Sequence, residues 1–342
     1  MPTAKVLVTG ASGFIAKHCI AELLRKGYSV KGTLRDMGRA DAVRTSVARA
    51  GADASGVEFV SADLLNDGGW QQAMQGCTYV LHVASPFPLQ EPRNPDDLIR
   101  PAREGAQRVL KAATQSGIKR VVMTSSVVAV TLPWPEAPQG HVFTEADWTN
   151  PQRPDITTYI VSKTLAERAA WDFVKGEPRA PELAAVNPAI VLGPATDTDI
   201  SSSHEVIKLM AERAYPAAPK VGFPISDVRD VAATHVLAMT TPGAAGKRFL
   251  TANGFLRLIE VGRLVGDALP DLKDEVPGRE LPDWVVRLVA LFDKRLKAVI
   301  PDLGHPRPIS NAQAQNVLGQ TFRSAPEAVK SAALSLRELG VI

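Results

Sequence analysis

Tyr159 and Lys163 stand four residues apart in Tyr159-Ile160-Val161-Ser162-Lys163, so on a helix a phenol and an ammonium share one face. Such a pair can deliver a proton to a carbonyl oxygen as hydride reaches the carbon. A free phenol, with a pKa of about 10, is a slow relay at neutral pH. A neighbouring ammonium stabilises the phenolate, and can also hold a ribose. The chemistry further needs a hydroxyl to orient the carbonyl and meet its developing negative charge. Thr124-Ser125-Ser126 offers one at the end of an apolar run, with Ser126 the first choice and Ser125 the alternative.

A hydride source needs its own cradle. Val8-Thr9-Gly10-Ala11-Ser12-Gly13-Phe14-Ile15-Ala16 has the form of a strand, a tight turn and a helix start. Gly10 permits the turn, Gly13 a close approach of backbone to a pyrophosphate, and Ala16 close packing of helix on sheet. Ser12, Phe14 and Ile15 complete the turn, whose spacing is Gly-x-x-Gly-x-x-Ala.

The end of the next strand, Gly32-Thr33-Leu34-Arg35-Asp36, reports the cofactor. A carboxylate nearest the ribose would favour NAD; Arg35 there favours the 2′-phosphate of NADP. A one-residue shift in register would exchange Asp36 for Arg35, and Arg39 or Arg44 could add a second cation. Asp63 and Leu64 are placed to meet adenine, although Asp63 also suits a helix N-cap. Val83, Ala84 and Ser85 supply small residues where the cofactor must pass.

These groups require an alternating β/α frame. Strands are expected over Lys5–Thr9, Ser29–Leu34, Val57–Ser61, Thr78–Val83, Arg120–Thr124 and Leu183–Val186. Helices are expected over Phe14–Arg25, Arg39–Ala50, Asp96–Gln115, from Tyr159 to near Gly176, and over Val228–Met239. The expected fold is α/β, a doubly wound parallel Rossmann sheet with a smaller, mostly helical substrate lobe. Residues 1–190 with a return segment at 221–250 form the dinucleotide-binding part, and 191–220 with 251–342 the lobe. Thr131, Phe87, Phe223, Trp134 and Trp148 are candidates for the substrate wall.

The 342 residues carry a net charge of only +3, and no dense basic block suggests nucleic acid or a membrane surface. Cys19 and Cys77 read as buried thiols without metal-ligand spacing, and no metal is expected. The start of the chain leads straight into a strand and no apolar run is of spanning length, so a cytoplasmic protein is expected. His82 reads as structural, His18 and His235 as surface or packing residues. Asp227, Arg229 and Asp230 read as an ion-pair network at a helix start.

The chain resembles the extended short-chain dehydrogenase/reductases, and within them the dihydroflavonol 4-reductase group, which includes cinnamoyl-CoA, aldehyde and methylglyoxal reductases. The resemblance spans about residues 5 to 250. It rests on Thr9 to Ala16, Thr33-Leu34-Arg35-Asp36, His82-Val83-Ala84-Ser85-Pro86, Val121 to Ser126 and Tyr159 to Glu167. Asn187-Pro188 through Gly193-Pro194 and Val228-Arg229-Asp230-Val231-Ala232 extend it.

The resemblance implies Ser126, Tyr159 and Lys163 as the catalytic set and Arg35 as the 2′-phosphate ligand. It also implies that Pro188 to Val191, including Ile190, pack on the nicotinamide. The product would be an alcohol made from an aldehyde or ketone; the sequence itself leaves monomer or homodimer open. Thr157-Thr158-Tyr159 departs from the Asn-Trp-Tyr of cinnamoyl-CoA reductases and argues against a CoA thioester. Thr131 replaces an amide of the plant flavonoid enzymes and argues against a flavonoid. A nucleotide-sugar epimerase or dehydratase, a hydroxysteroid dehydrogenase and an NADP-sensing regulator remain as alternatives.

Overall fold

In the computed structural model, residues 4–86, 92–133, 136–212, 217–291, 300, 303 and 306–342 are described. The first six strands are β1 (Lys5–Val8), β2 (Ser29–Leu34), β3 (Glu58–Ser61), β4 (Tyr79–His82), β5 (Arg120–Thr124) and β6 (Glu182–Asn187). They are followed by β7 (Ile190–Leu192), β8 (Ala218–Pro219), β9 (Gly222–Asp227), β10 (Arg248–Leu250), β11 (Phe255–Arg257) and β12 (Glu280–Leu281). The main sheet has seven parallel strands in the order β10-β6-β5-β4-β1-β2-β3. The order reverses direction beside β1, which opens a crevice at the carboxyl edge.

Strand residues alternate between two cores, as a period of two requires. Val6 and Val8 enter one cluster with Ile20 and Val231, while Leu7 enters the other with Val109 and Leu110. Helices α1 (Phe14–Arg25) and α2 (Ala40–Arg49) cover the first face. Beyond the short α3 (Trp70–Met74), α4 (Asp96–Gln115) and α5 (Thr158–Gly176) cover the second. Both faces are therefore dry, and the strands read as apolar runs. Asp96 and Asp97 lie in the first turn of α4, where carboxylates complement the helix dipole, and Gly117 follows it at φ +67°.

The expected helices Phe14–Arg25 and Asp96–Gln115 form with those bounds. The stretch expected to start a helix at Arg39 instead opens with a 3-10 turn, Met37–Arg39, capped by the Asp36 side chain. After β7 the chain forms α6 (Ser202–Ala211), α7 (Val228–Thr240) and α8 (Leu258–Ala268). A three-stranded sheet, β11-β9-β7, was not anticipated in this lobe. It packs with α6, α8 and the closing helix Ala325–Glu338 around Leu192, Ile207, Ile225, Val261 and Val329. Of the expected return segment, β9 belongs to this second sheet, while α7 and β10 rejoin the main one. No helix among the described residues is long and apolar enough to cross a membrane.

Candidate active site

The glycine turn forms as the spacing predicts. Gly10 takes φ +65°, and a Cβ there would lie 3.0 Å from the Ala84 Cβ. Both its left-handed backbone and the neighbouring β4 loop therefore call for glycine. Gly10 N–H donates to Thr33 Oγ1 at 3.0 Å, and Ala84 N–H to Thr9 Oγ1 at 3.0 Å. Thr9 Oγ1 also meets His82 Nδ1 at 2.9 Å. Burial holds His82 down at about 4, a neutral ring that ties the first and fourth strands together. His82 is thus a structural histidine.

Gly13 caps α1 without any side-chain hydrogen bond, leaving the first N–H groups of the helix available to an anion. A cleft of about 680 Å³ opens there, lined by Gly10, Ser12, Gly13, Arg35, Arg39, Asp63, Leu64, Val83, Ala84 and Ser85, among others. Arg35 is exposed and has no hydrogen-bond or ion-pair partner among the described residues. Asp36 turns aside to accept from Gly38 N–H at 2.9 Å, so the register puts the guanidinium in the cleft. Arg39 also lines it, whereas Arg44 is held by Asp41 and the Val57 carbonyl. Asp63 accepts from Leu65 N–H at 3.0 Å, a turn role that coexists with its place in the cleft. Phe14 and Ile15 pack on the core instead, Phe14 edge-on to His18 and His204. Cavity, free helix end and unpaired guanidinium together fit a phosphorylated dinucleotide.

One strand further along the edge, Ser126 follows β5 and Tyr159 and Lys163 rise from the first turns of α5. Thr157 starts that helix by accepting Ile160 N–H. Tyr159 shares a hydrogen bond with the Ser126 side chain, and burial pushes its phenol up to about 12. The phenol alone is therefore a firmly protonated acid, rather than one already lowered by Lys163. Lys163 is buried, its ammonium 5.8 Å from the Tyr159 ring centroid. Burial brings it down to about 8, opposed by the charge of Glu167. It has no hydrogen-bond partner among the described residues.

Glu167, one turn beyond Lys163, is the centre that sequence reasoning passed over. Its fully buried carboxylate accepts from Ser125 Oγ at 2.5 Å, Asn187 Nδ2 at 2.8 Å, Trp171 Nε1 at 3.2 Å and Arg248 Nε at 2.6 Å. Asn187 also donates to the Ser126 carbonyl at 3.1 Å. Arg248 stacks on Trp148, 3.8 Å from the ring centroid, so Trp148 is a structural partner. The carboxylate thus fixes the ends of β5, β6 and β10 against α5. Ser125, the alternative hydroxyl, is committed to this network, which leaves Ser126 facing the open side. The sequence signal was an acid four residues after Lys163 among Ala166, Ala169 and Ala170.

Ser126 and Tyr159 open into a second cavity of about 360 Å³. Val128, Leu132, Ile160, Ile190, Phe223 and Phe255 form the apolar part of its wall, with Thr131, Asp155 and Arg307 also lining it. Thr131 Oγ1 donates to the Val127 carbonyl at 3.2 Å, so its hydroxyl is already engaged. Pro188 lends its carbonyl to Val127 N–H at 2.9 Å, and Val191 is buried in the core. Of the Pro188 to Val191 stretch, Ala189 and Ile190 line this cavity. Phe87 and Trp134 lie outside the described residues. His18 and His235 prove buried, bonded to the Pro194 carbonyl and to Thr124 Oγ1. Arg229 pairs with Asp227 at 2.6 Å, while Asp230 pairs with Arg323.

Residues 6–250 match the model of the NAD dependent epimerase/dehydratase family. The chain belongs to that family. It is 30% identical to the ketoreductase azaE of Aspergillus niger, with 98% of each chain covered. It is 36% identical to the cinnamoyl-CoA reductase CAD2 of Medicago truncatula, over 78% of this chain and 82% of that one. The crystal structure of a yeast methylglyoxal/isovaleraldehyde reductase complexed with NADPH superimposes with a TM-score of 0.80 at 25% identity. That match covers 99% of this family member and 100% of the yeast chain.

Proposed function

We propose that this family member is an NADP-dependent oxidoreductase that reduces an aldehyde or ketone to an alcohol, and oxidises the alcohol when run in reverse. The observation that carries the reading is the bonded Ser126–Tyr159 hydroxyl pair lining the cavity, with the buried Lys163 ammonium one turn away. A bound nicotinamide supplies the hydride. Tyr159, protonated at neutral pH, gives its proton to the carbonyl oxygen. Ser126 orients that oxygen by a hydrogen bond that strengthens as charge develops. Lys163 stabilises the phenolate left behind and holds the cofactor ribose. Arg35, with Arg39, takes the 2′-phosphate.

The ketoreductase among the relatives, and the methylglyoxal/isovaleraldehyde reductase complexed with NADPH, support this reading. The apolar part of the wall, from Val128, Leu132, Ile160 and Ile190, suits an apolar carbonyl, while Asp155 and Arg307 also line the cavity. Both cysteines are free, which suits a reducing compartment such as the cytoplasm.

Initial rates of NADPH loss, with NADH in parallel, over aliphatic, aromatic and dicarbonyl substrates test the proposal. The expected result is turnover with NADPH well above NADH, fastest on an apolar carbonyl. Binding of NADPH without turnover on any of them would instead favour a cofactor-sensing role.

A further inference from the structure

Between β7 and α6 the chain crosses back over the cofactor side of the molecule, and a series of contacts fixes its course. The Pro194 carbonyl meets His18 Nε2 at 3.0 Å, and the Thr196 carbonyl accepts from Arg49 at 2.8 Å. Asp197 receives the Lys17 ammonium at 2.5 Å and Ser46 Oγ at 2.6 Å. Two residues later Asp199 pairs with Arg39 at 2.6 Å, inside the cleft that also contains Arg35. Ser201 then caps α6, whose Ser202 and Ser203 line the substrate cavity.

The two aspartates differ in kind. The Lys17 ammonium that holds Asp197 is only 2% exposed, and Ser46 adds a second bond. Asp199 and Arg39 are 62% and 43% exposed, a solvated pair easily exchanged for another anion. Lys17–Asp197 is therefore an anchor, and Arg39–Asp199 a contact that a dianion can displace.

We propose that Asp199 is a specificity-setting residue that occupies Arg39 and competes with the 2′-phosphate of NADP for it. This rests on the assignment of Arg35 and Arg39 to that phosphate. Arg35 is free to meet the phosphate at once, while Arg39 must first leave Asp199. The carboxylate then remains close to the phosphate as a like charge. Both effects lower affinity for the phosphorylated cofactor, and NAD lacks the 2′-phosphate on which they centre. A carboxylate from the lobe thus tempers a phosphate preference written in the sheet domain.

The test compares NADPH and NADH dissociation constants, by fluorescence titration, for the whole protein and for Asp199→Asn, Arg39→Ala and Arg35→Ala. Asp199→Asn changes an exposed side chain without altering its size. It should tighten NADPH about three- to tenfold and leave NADH unchanged. In the double variant Asp199→Asn/Arg39→Ala that gain should shrink, because the competition is for Arg39. Unchanged or weaker NADPH binding in Asp199→Asn, while Arg35→Ala and Arg39→Ala lose NADPH preference, would overturn the role of Asp199 alone. Undiminished NADPH preference in both arginine variants would instead overturn the phosphate assignment beneath it.

Discussion

The cleft at Gly10 is walled by one turn and by the ends of neighbouring strands and helices, all within residues 10–101 except Asp199. The cavity at Tyr159 is walled by residues drawn from 126 to 307, contributed by the three-stranded sheet, the starts of α5 and α6 and the loops around them. In the first, backbone does much of the shaping: a left-handed glycine, an open helix end and a hydrogen bond from Gly10 N–H to Thr33. In the second, the shape is a sum of side chains, apolar and polar, around one hydroxyl pair. Side-chain changes should therefore retune the cavity while leaving the cleft as it is.

The largest effect expected from that separation is at Tyr159. Replacing Tyr159 by Phe keeps the ring but removes the proton and its bond to Ser126. Loss of a positioned acid lowers turnover by about 10²- to 10⁴-fold. NADPH affinity should stay within about twofold of the unmodified protein, since the cleft is lined by other residues. Steady-state rates beside a cofactor titration decide it. Near-normal turnover would remove Tyr159 from the mechanism, and a collapse of NADPH binding would show that cleft and cavity are one unit.

Lys163 lies buried one turn beyond Tyr159, and pH probes it. Its folded pKa is lowered by burial from 10.5 to about 8, so the ammonium is present below that value and lost as pH rises through it. Tyr159, raised to about 12, stays protonated across the same window. The kcat/KM for NADPH, which reports the free enzyme, should therefore be level below pH 8 and fall about tenfold per unit above it. Lys163→Arg keeps its charge above pH 8, so its profile should lose this falling limb even if its rate is lower. A limb that persists unchanged in that variant would assign the titration to another group.

The same contrast explains what the sequence made legible. The cleft follows from local patterns: apolar runs for strands, a glycine turn, and a cation at the tip of β2. Helices such as Asp96–Gln115 form with the bounds their periodicity predicts. The lobe sheet did not announce itself, because β7 and β11 have three residues each and β9 contains Pro224. Strands so short carry too few alternations to distinguish them from loop, and their pairing is set by tertiary contacts. Glu167 was hidden for a related reason. Its partners Ser125, Asn187 and Arg248 come from the ends of three strands and meet only in the folded sheet.

Phe223 offers the smallest effect and the sharpest view of the cavity side. It lies on β9 opposite Leu256, half-buried against two apolar clusters, and it lines the cavity at Tyr159. Truncating Phe223 to Ala opens space without touching Ser126, Tyr159 or the cofactor cleft. A fully buried phenylalanine loses about 3–5 kcal/mol on such a change, and partial exposure should reduce this to about 1–3 kcal/mol. The folded variant should then favour bulkier aromatic carbonyls by about five- to fiftyfold in relative kcat/KM, the scale expected when pocket size changes by a few carbon atoms. NADPH affinity should not move. If the substrate ranking is unchanged while stability falls, Phe223 is a packing residue and the reacting carbonyl lies nearer Val128 and Ile160. If NADPH affinity falls with it, the lobe helps close the cofactor cleft, and the division between backbone-made and side-chain-made sites fails at β9.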